Sequence, residues 1–310
     1  MGFFTTSHPF NPRTSIPDLK SKVILVTGGN NGLGKEAILQ LARHGPAKIY
    51  MAARSADKAT AAINSINNQL TVDTVIEHLP LDLSSLQSVR EAAEIVKSTS
   101  SRLDILMLNA GIMATPPGRT HEGFDDQMGV NHIGHFYLTQ QLLPLLTVTA
   151  AAGNDVRVVS LTSEAHNLGP SSLDIIFNTE RLIQTSPWSR YGASKAANIM
   201  FAAELARRYP HFTTASLHPG IIMTDLHTPG QQSHSFVGLF MKYMSPFITQ
   251  DVPHGAYNQL WAATTNEELT SGGYYTPVGR LQKNTKWAKD REAGRRCWEW
   301  TEEELKKAGF

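Results

Sequence analysis

The chain has 310 residues, 41% of them hydrophobic, and carries 28 Lys and Arg against 27 Asp and Glu. It is long enough to bury a substantial core, and a surface so close to neutral gives no electrostatic reason to expect nucleic acid or an acidic membrane as partner. The single cysteine, Cys297, excludes an internal disulfide framework and fits a structural free thiol in a reducing, cytoplasmic setting, and no apolar run is long enough to span a bilayer.

Residues 1–20, poor in charge and dotted with Pro and Thr, read as a loose leader rather than a signal peptide. The next stretch, VILVTGGNNGLG from Val23 to Gly34, reads as a buried strand (Lys22–Thr27), a tight turn, and a helix from about Gly32 to His44. Without a Cβ at Gly28, Gly32 and Gly34 the backbone can turn sharply and let an anion approach the first amides of the helix. The expected ligand is a pyrophosphate, held by Thr27, Gly28, Asn31, Gly32, Leu33 and Gly34. The spacing is T-G-x-x-x-G-x-G, not the G-x-G-x-x-G of the most familiar dinucleotide fingerprint.

Lys48–Ala53 is the second strand and ends on Arg54, twenty residues after Gly34. Dinucleotide folds place there the residue that meets the adenosine ribose: a carboxylate for the 2′-hydroxyl of NAD, a cation for the 2′-phosphate of NADP. With Arg54 in that place and no acid between Met51 and Ala56, NADP(H) is the expected cofactor.

An Ala-rich helix (Asp57–Asn67), a strand (Thr74–Leu79) and a helix over 85–98 capped by Ser84 follow. Asp82 and Leu83 leave the carboxyl end of that strand, where Asp82 either meets the adenine edge or simply forms the turn. The fourth strand, Leu103–Leu108, ends in Asn109-Ala110-Gly111, small residues that let the backbone approach a cofactor, and residues 112–120 form a Pro-containing loop beside the substrate. A long helical stretch from about Gly123 to Thr147 contains Asn131, with breaks expected at Gly134 and near Pro144. Asp155–Leu161 is the fifth strand, with Thr162-Ser163 at its carboxyl end, and the helix Trp188–Tyr209 carries Tyr191 and Lys195. The sixth strand, Phe212–Leu217, ends at His218-Pro219-Gly220, with Thr224 close behind.

This alternation predicts an α/β fold: a single doubly wound parallel sheet of about seven strands with helices on both faces, spanning 21–280. Residues 225–250, apolar and rich in Phe and Met, read as a lid that forms a substrate wall or packs on the domain. A helix over 251–264 and a strand over 273–276 close the sheet. Residues 281–310 form a C-terminal extension whose Trp287, Trp298 and Trp300 suit packing on the domain or a subunit contact.

Tyr191 and Lys195 stand at i, i+4 and so share one helix face. A free tyrosine, with a pKa of about 10, is a poor proton donor or acceptor near neutrality, and a neighbouring ammonium lowers that value. Ser163, at a strand's carboxyl end, suits a hydrogen bond to an oxygen on which charge develops. His132, His135, His166 and His218 lack a carboxylate or thiol to complete a ligand set, so no metal is expected.

Taken together, the glycine turn, Asp82, Asn109-Ala110-Gly111, Asn131, Ser163, Tyr191-x-x-x-Lys195 and Pro219-Gly220 with Thr224 resemble the short-chain dehydrogenase/reductase superfamily over roughly Ser21 to Thr276. The resemblance implies a hydride-transferring oxidoreductase in which Tyr191 is the general acid/base and Ser163 positions the carbonyl or alcohol oxygen. It further implies that Lys195 holds the nicotinamide ribose, Asn131 supports a water relay to Lys195, and Thr224 contacts the carboxamide. Where the family usually has Ser-Ser, this chain has Thr162-Ser163, and the catalytic hydroxyl is assigned to the second. The segments SEAHNLG and SGGYYTPVGR are similar to the retinol-dehydrogenase-like and fungal branches, which implies an apolar carbonyl or alcohol substrate, a place in fungal secondary metabolism, and a homodimer or homotetramer through the long helices. A non-catalytic NADP(H)-binding sensor or scaffold is the alternative.

Overall fold

The run VILVT carries no alternation because both its faces are buried: Val23 and Leu25 belong to one apolar layer, Ile24 and Val26 to the other. The computed structural model describes residues 10–220 and 252–310. In it β1 (Val23–Thr27), β2 (Lys48–Ala53), β3 (Ile76–Pro80), β4 (Ile105–Leu108), β5 (Val156–Leu161), β6 (Phe212–Leu217), β7 (Gly273–Thr276) and β8 (Arg280–Leu281) form one sheet. The strand order is β3-β2-β1-β4-β5-β6-β7-β8, parallel throughout except that β8 pairs antiparallel with β7. The order reverses between β1 and β4, where a doubly wound sheet opens a crevice for ligands. The expected sheet of about seven strands therefore gains an eighth, a two-residue edge strand turned back through Gly279, which has φ +68°.

Helices α1 (Gly32–Ala42), α2 (Ala56–Asn67) and α6 (Tyr257–Thr264) cover one face; α3 (Leu86–Thr99), α4 (Gly134–Ala151), α5 (Pro187–Arg208) and α7 (Arg291–Lys307) cover the other. Several local expectations shift. Ser85, not Ser84, caps α3, accepting the Ser88 amide, because the Ser84 hydroxyl and amide both go to Asp82 Oδ1. The stretch before α4 is broken by a π-helical turn over Gly129–Ile133, after which α4 runs on through Pro144. The second half of the supposed leader is docked rather than loose: Ile16 and Leu19 are buried in the α1 layer, and Phe10 meets Tyr257 edge to face.

The C-terminal extension is a packed layer. On α7, Trp298 lies 4.7 Å from Phe136 of α4 and stacks on Phe201 of α5 at 6.0 Å, while Trp300 stacks on Phe177 at 5.1 Å. Phe310 closes on Tyr137 at 5.6 Å. Part of the surface of α4 and α5 is thereby covered within the chain, so any self-association through those helices has to use what α7 leaves open. No helix among the described residues is long and apolar enough to cross a membrane.

Candidate active site

A cleft of about 570 Å³ opens at the carboxyl ends of the strands, floored by the glycine turn and by Ala53, Leu81, Ala110, Leu161 and Pro219. Tyr191 and Lys195 project into it from α5. Both are buried. The Lys195 ammonium donates to the Leu161 carbonyl at 3.1 Å and sits 5.6 Å from the Tyr191 ring centre. Burial, which disfavours the charged form of each, pushes the lysine down to about 8 and the phenol up to about 12, with hydrogen bonding to Ser163 pulling the phenol back. The expected lowering of the tyrosine is thus reversed in the protein alone, because desolvation outweighs the hydrogen bond to Ser163. Ser163, half-buried, accepts the Ala165 amide at 3.1 Å, and its carbonyl takes a hydrogen bond from His166 Nδ1 at 2.8 Å.

At the other end, Gly28 and Gly32 have φ +65° and +51°, left-handed conformations that favour glycine. A Cβ on Gly34 would lie 2.3 Å from the Gly28 carbonyl oxygen. Helix α1 starts here, with Asn31 Oδ1 accepting the Gly32 amide at 2.7 Å, so its remaining first-turn amides and dipole face the cleft. Arg54 stands exposed at the rim and makes no ion pair with any described residue. A cation at the rim, a helix N-terminus with room for phosphate and a buried ammonium beside a phenol fit a dinucleotide.

Residues 22–172 match the family model described as short chain dehydrogenase. A short-chain dehydrogenase/reductase of Armillaria gallica is 39% identical over 97% of this chain and 97% of its own length. Human retinol dehydrogenase 12 is 34% identical over 92% of this chain and 86% of its own. The chain belongs to the short-chain dehydrogenase/reductase superfamily. Within it, these relatives place it in the retinol-dehydrogenase-like and fungal branch. A solved protein from Mycobacterium paratuberculosis, described as putative and uncharacterized, shares the fold with a TM-score of 0.72 at 30% identity, over 96% of this chain and 97% of that one. As a member of the superfamily the protein is an oxidoreductase that takes a nicotinamide cofactor and a small-molecule substrate.

The residues expected to bind cofactor in this dehydrogenase/reductase divide into cleft walls and supports. Gly28, Asn31, Gly32, Leu33, Arg54, Asp82, Leu83, Asn109, Ala110, Gly111 and Pro219 line the cleft. Of the two readings of Asp82 the turn is observed, its Oδ1 accepting from the Ser84 amide and hydroxyl, and the residue also lines the cleft. Thr27 is a support. Its Oγ1 accepts the amides of Asn109 and Ala110, both at 3.0 Å, and meets His135 Nε2 at 2.8 Å. His135 Nδ1 faces the Asn131 carbonyl at 3.0 Å, which can only accept, so the proton lies on Nδ1 and the threonine hydroxyl donates to Nε2. Burial, the largest influence, pushes His135 down to about 4, which keeps that ring neutral.

Asn131 is also a support: Oδ1 accepts the Ile112 amide at 2.8 Å, and Nδ2 donates to the Ile112 carbonyl at 3.0 Å and to Ser194 Oγ at 2.9 Å. Gly34 lies behind the turn, and Gly220 follows Pro219 with φ +104°. Thr224 and the lid over 225–250 lie outside the described residues. The sequence reading missed Asn30, Ser84, Asp126 and Val130, which also line the cleft. For Asp126 a signal existed, an Asp-Asp pair before a helical run; for Val130 none did, since the π-helical turn that presents it leaves no mark in the apolar spacing. Among the described residues no group of histidine, cysteine and acidic side chains is arranged to hold a metal.

Proposed function

We propose that the protein is an NADP(H)-dependent oxidoreductase that moves hydride between the nicotinamide and a hydrophobic ketone, aldehyde or secondary alcohol, with Tyr191 as general acid/base, of the kind used in fungal secondary metabolism. The observation that carries this reading is the buried Tyr191 phenol beside the Lys195 ammonium at one end of a dinucleotide-sized cleft, with the Ser163 hydroxyl hydrogen-bonded to that phenol. When bound, the nicotinamide supplies the hydride for reduction or takes it up in oxidation.

The chain's own residues do the rest. Ser163 hydrogen-bonds the substrate oxygen, and Tyr191 delivers the proton to it as negative charge develops. A phenol raised to about 12 keeps its proton at neutral pH but is a weak acid, so donation depends on stabilising the phenolate as charge develops on the substrate oxygen. Lys195, still largely charged below about 8, stabilises the phenolate left behind and holds the cofactor ribose, and Asn131 supports its reprotonation through water. Ile112, Met113, Val130 and Pro219 give the reactive end an apolar wall, which supports an apolar substrate. Arg54, free of any ion pair with described residues, supports the 2′-phosphate of NADP(H). A buried, unpaired Cys297 fits a cytoplasmic location.

The test is a titration of the protein with NADPH and with NADH, followed by nicotinamide fluorescence. Tighter binding of NADPH, lost in Arg54→Asp, supports the reading; equal or tighter binding of NADH overturns the choice of cofactor. Binding without turnover of any apolar carbonyl favours the sensor or scaffold instead.

A further inference from the structure

The first turn of α5 carries a second charge that this chemistry does not use. Arg190, next to Tyr191, and its partner Asp125 are both completely buried. Nη1 donates to Asp125 Oδ2 at 2.9 Å and to Asp126 Oδ1 at 3.1 Å, and Nη2 donates to the Thr115 carbonyl oxygen at 2.5 Å. These partners are themselves fixed. Asp125 Oδ1 accepts the amides of Gln127 and Met128, and Thr115 Oγ1 donates to Asp126 Oδ2 at 2.8 Å. Gln127 bridges the same two segments, accepting the Ala114 amide at 2.8 Å and donating to the Pro187 carbonyl at 3.0 Å. Ala114 has φ +50°, a conformation an alanine keeps only where its surroundings impose it. Three consecutive side chains, Asp125 to Gln127, thus stitch the cleft wall around Ile112 and Met113 to the start of the helix that carries Tyr191.

A buried ion pair is weak evidence of stabilisation, because well-packed apolar side chains of similar volume often do as well. What an apolar side chain lacks is direction. The planar fork of a guanidinium holds its acceptors at set angles, and here they come from two separate segments. Arg190 Nε is buried with no partner among the described residues, a desolvation penalty that packing alone does not explain.

We propose that Arg190 is a positioning residue for the reaction: through Asp125, Asp126 and Thr115 it sets the separation between the cleft wall at Ile112 and Met113 and the phenol of Tyr191. The inference rests on the reading of Tyr191 as the proton donor. With the clamp in place, α5 cannot rotate or slide against the wall without breaking charge-assisted hydrogen bonds where water cannot replace them. Asp126 itself lines the cleft, so the clamp and the substrate share a surface.

The double variant Arg190→Met with Asp125→Asn removes both buried charges and keeps an N-cap acceptor, since asparagine caps as well as aspartate. Arg190→Lys is the conservative companion, and carries the same readouts should the double variant fail to fold. Three quantities are measured: NADPH affinity by fluorescence, kcat and KM for a medium-chain methyl ketone and an aromatic aldehyde, and the ¹³C resonance of Tyr191 Cζ, assigned by its loss in Tyr191→Phe. The expected result is a shifted or broadened Tyr191 resonance and a kcat lowered about 10- to 100-fold with NADPH affinity unchanged, the cost of misplacement by about an ångström. The lysine variant falls between. A folded double variant with unchanged resonance and unchanged kcat overturns the proposal, and so does a loss of NADPH affinity in step with kcat, which marks general loosening. If Tyr191→Phe leaves turnover intact, it is the donor reading that fails, and the Tyr191 resonance still decides whether Arg190 positions that ring.

Discussion

The two ends of the cleft are built in different ways. The end that fits phosphate comes from one continuous stretch, β1 through Arg54, and works through backbone: positive φ at Gly28 and Gly32, and no room for a Cβ at Gly34. The reactive end is assembled from side chains far apart in sequence, with Ser163 after β5, Tyr191 and Lys195 on α5, and Asn131 and Arg190 tying the loop after β4 to that helix. Backbone geometry can be written locally; a side-chain constellation exists only once the sheet has placed its strands. Damage at the first end should therefore appear as lost cofactor affinity, and damage at the second as lost turnover.

The largest expected effect is at the reactive end. Tyr191→Phe should lower turnover by roughly 10² to 10⁴, the usual worth of a positioned proton donor, with NADPH affinity intact. A parallel fall in affinity would erase the distinction between the two ends. Next comes the layer behind the reactive end: Trp298→Ala should cost about 3–5 kcal/mol of unfolding free energy in urea, the range for truncating a large buried aromatic. A cost below about 1 kcal/mol would make α7 a loosely held appendage rather than the backing of α4 and α5. At the phosphate end, Gly34→Ala forces a methyl against the Gly28 carbonyl, and overpacking of about 1–3 kcal/mol should emerge as weaker NADPH binding with kcat at saturation unchanged.

The smallest effect sharpens the comparison through pH. Lys195 releases its proton near 8 in the folded protein against 10.5 for an unperturbed lysine. Reduction rates at cofactor concentrations well below saturation, which report the free enzyme, should fall as pH rises through about 8 and the ammonium is lost. Between 8 and 10.5 the unfolded chain holds more protons at this residue than the folded one, so its contribution to stability should rise over that same interval. Rate and stability moving together above pH 8, when compared with Lys195→Met, would remove Lys195 as the cause.

What could be read from residues alone follows the same division. The glycine turn, the strands around it and the Tyr191–Lys195 pair depend on spacing within a few residues, and they stand where expected. Ser84 and Ser85 offer identical caps, and only the side chain of Asp82, which binds the first, hands α3 to the second. Arg190 carries no outward sign of burial, because a charged residue in a helix's first turn ordinarily faces solvent; its partners lie 64 to 75 positions away. Ile16 and Leu19 were hidden by their Pro-rich surroundings. Trp298 and Trp300 suited packing on the domain from the start, but only the placement of α7 identifies Phe136, Phe201 and Phe177 as the surfaces they cover.

The π-helical turn at Gly129–Ile133 separates two phases of one helical stretch. Asp126 and Asn131 are set by the loop they bind, while residues beyond Gly134 are set by the layers under α3 and α7. Deleting one residue there would return the stretch to ordinary helical register and turn one half about 100° relative to the other, so that either the cleft or the core would have to yield. Length variation among descendants of this chain should accordingly be purged at 129–133 and collect in exposed connections such as that between α2 and β3, where an added residue disturbs neither phase.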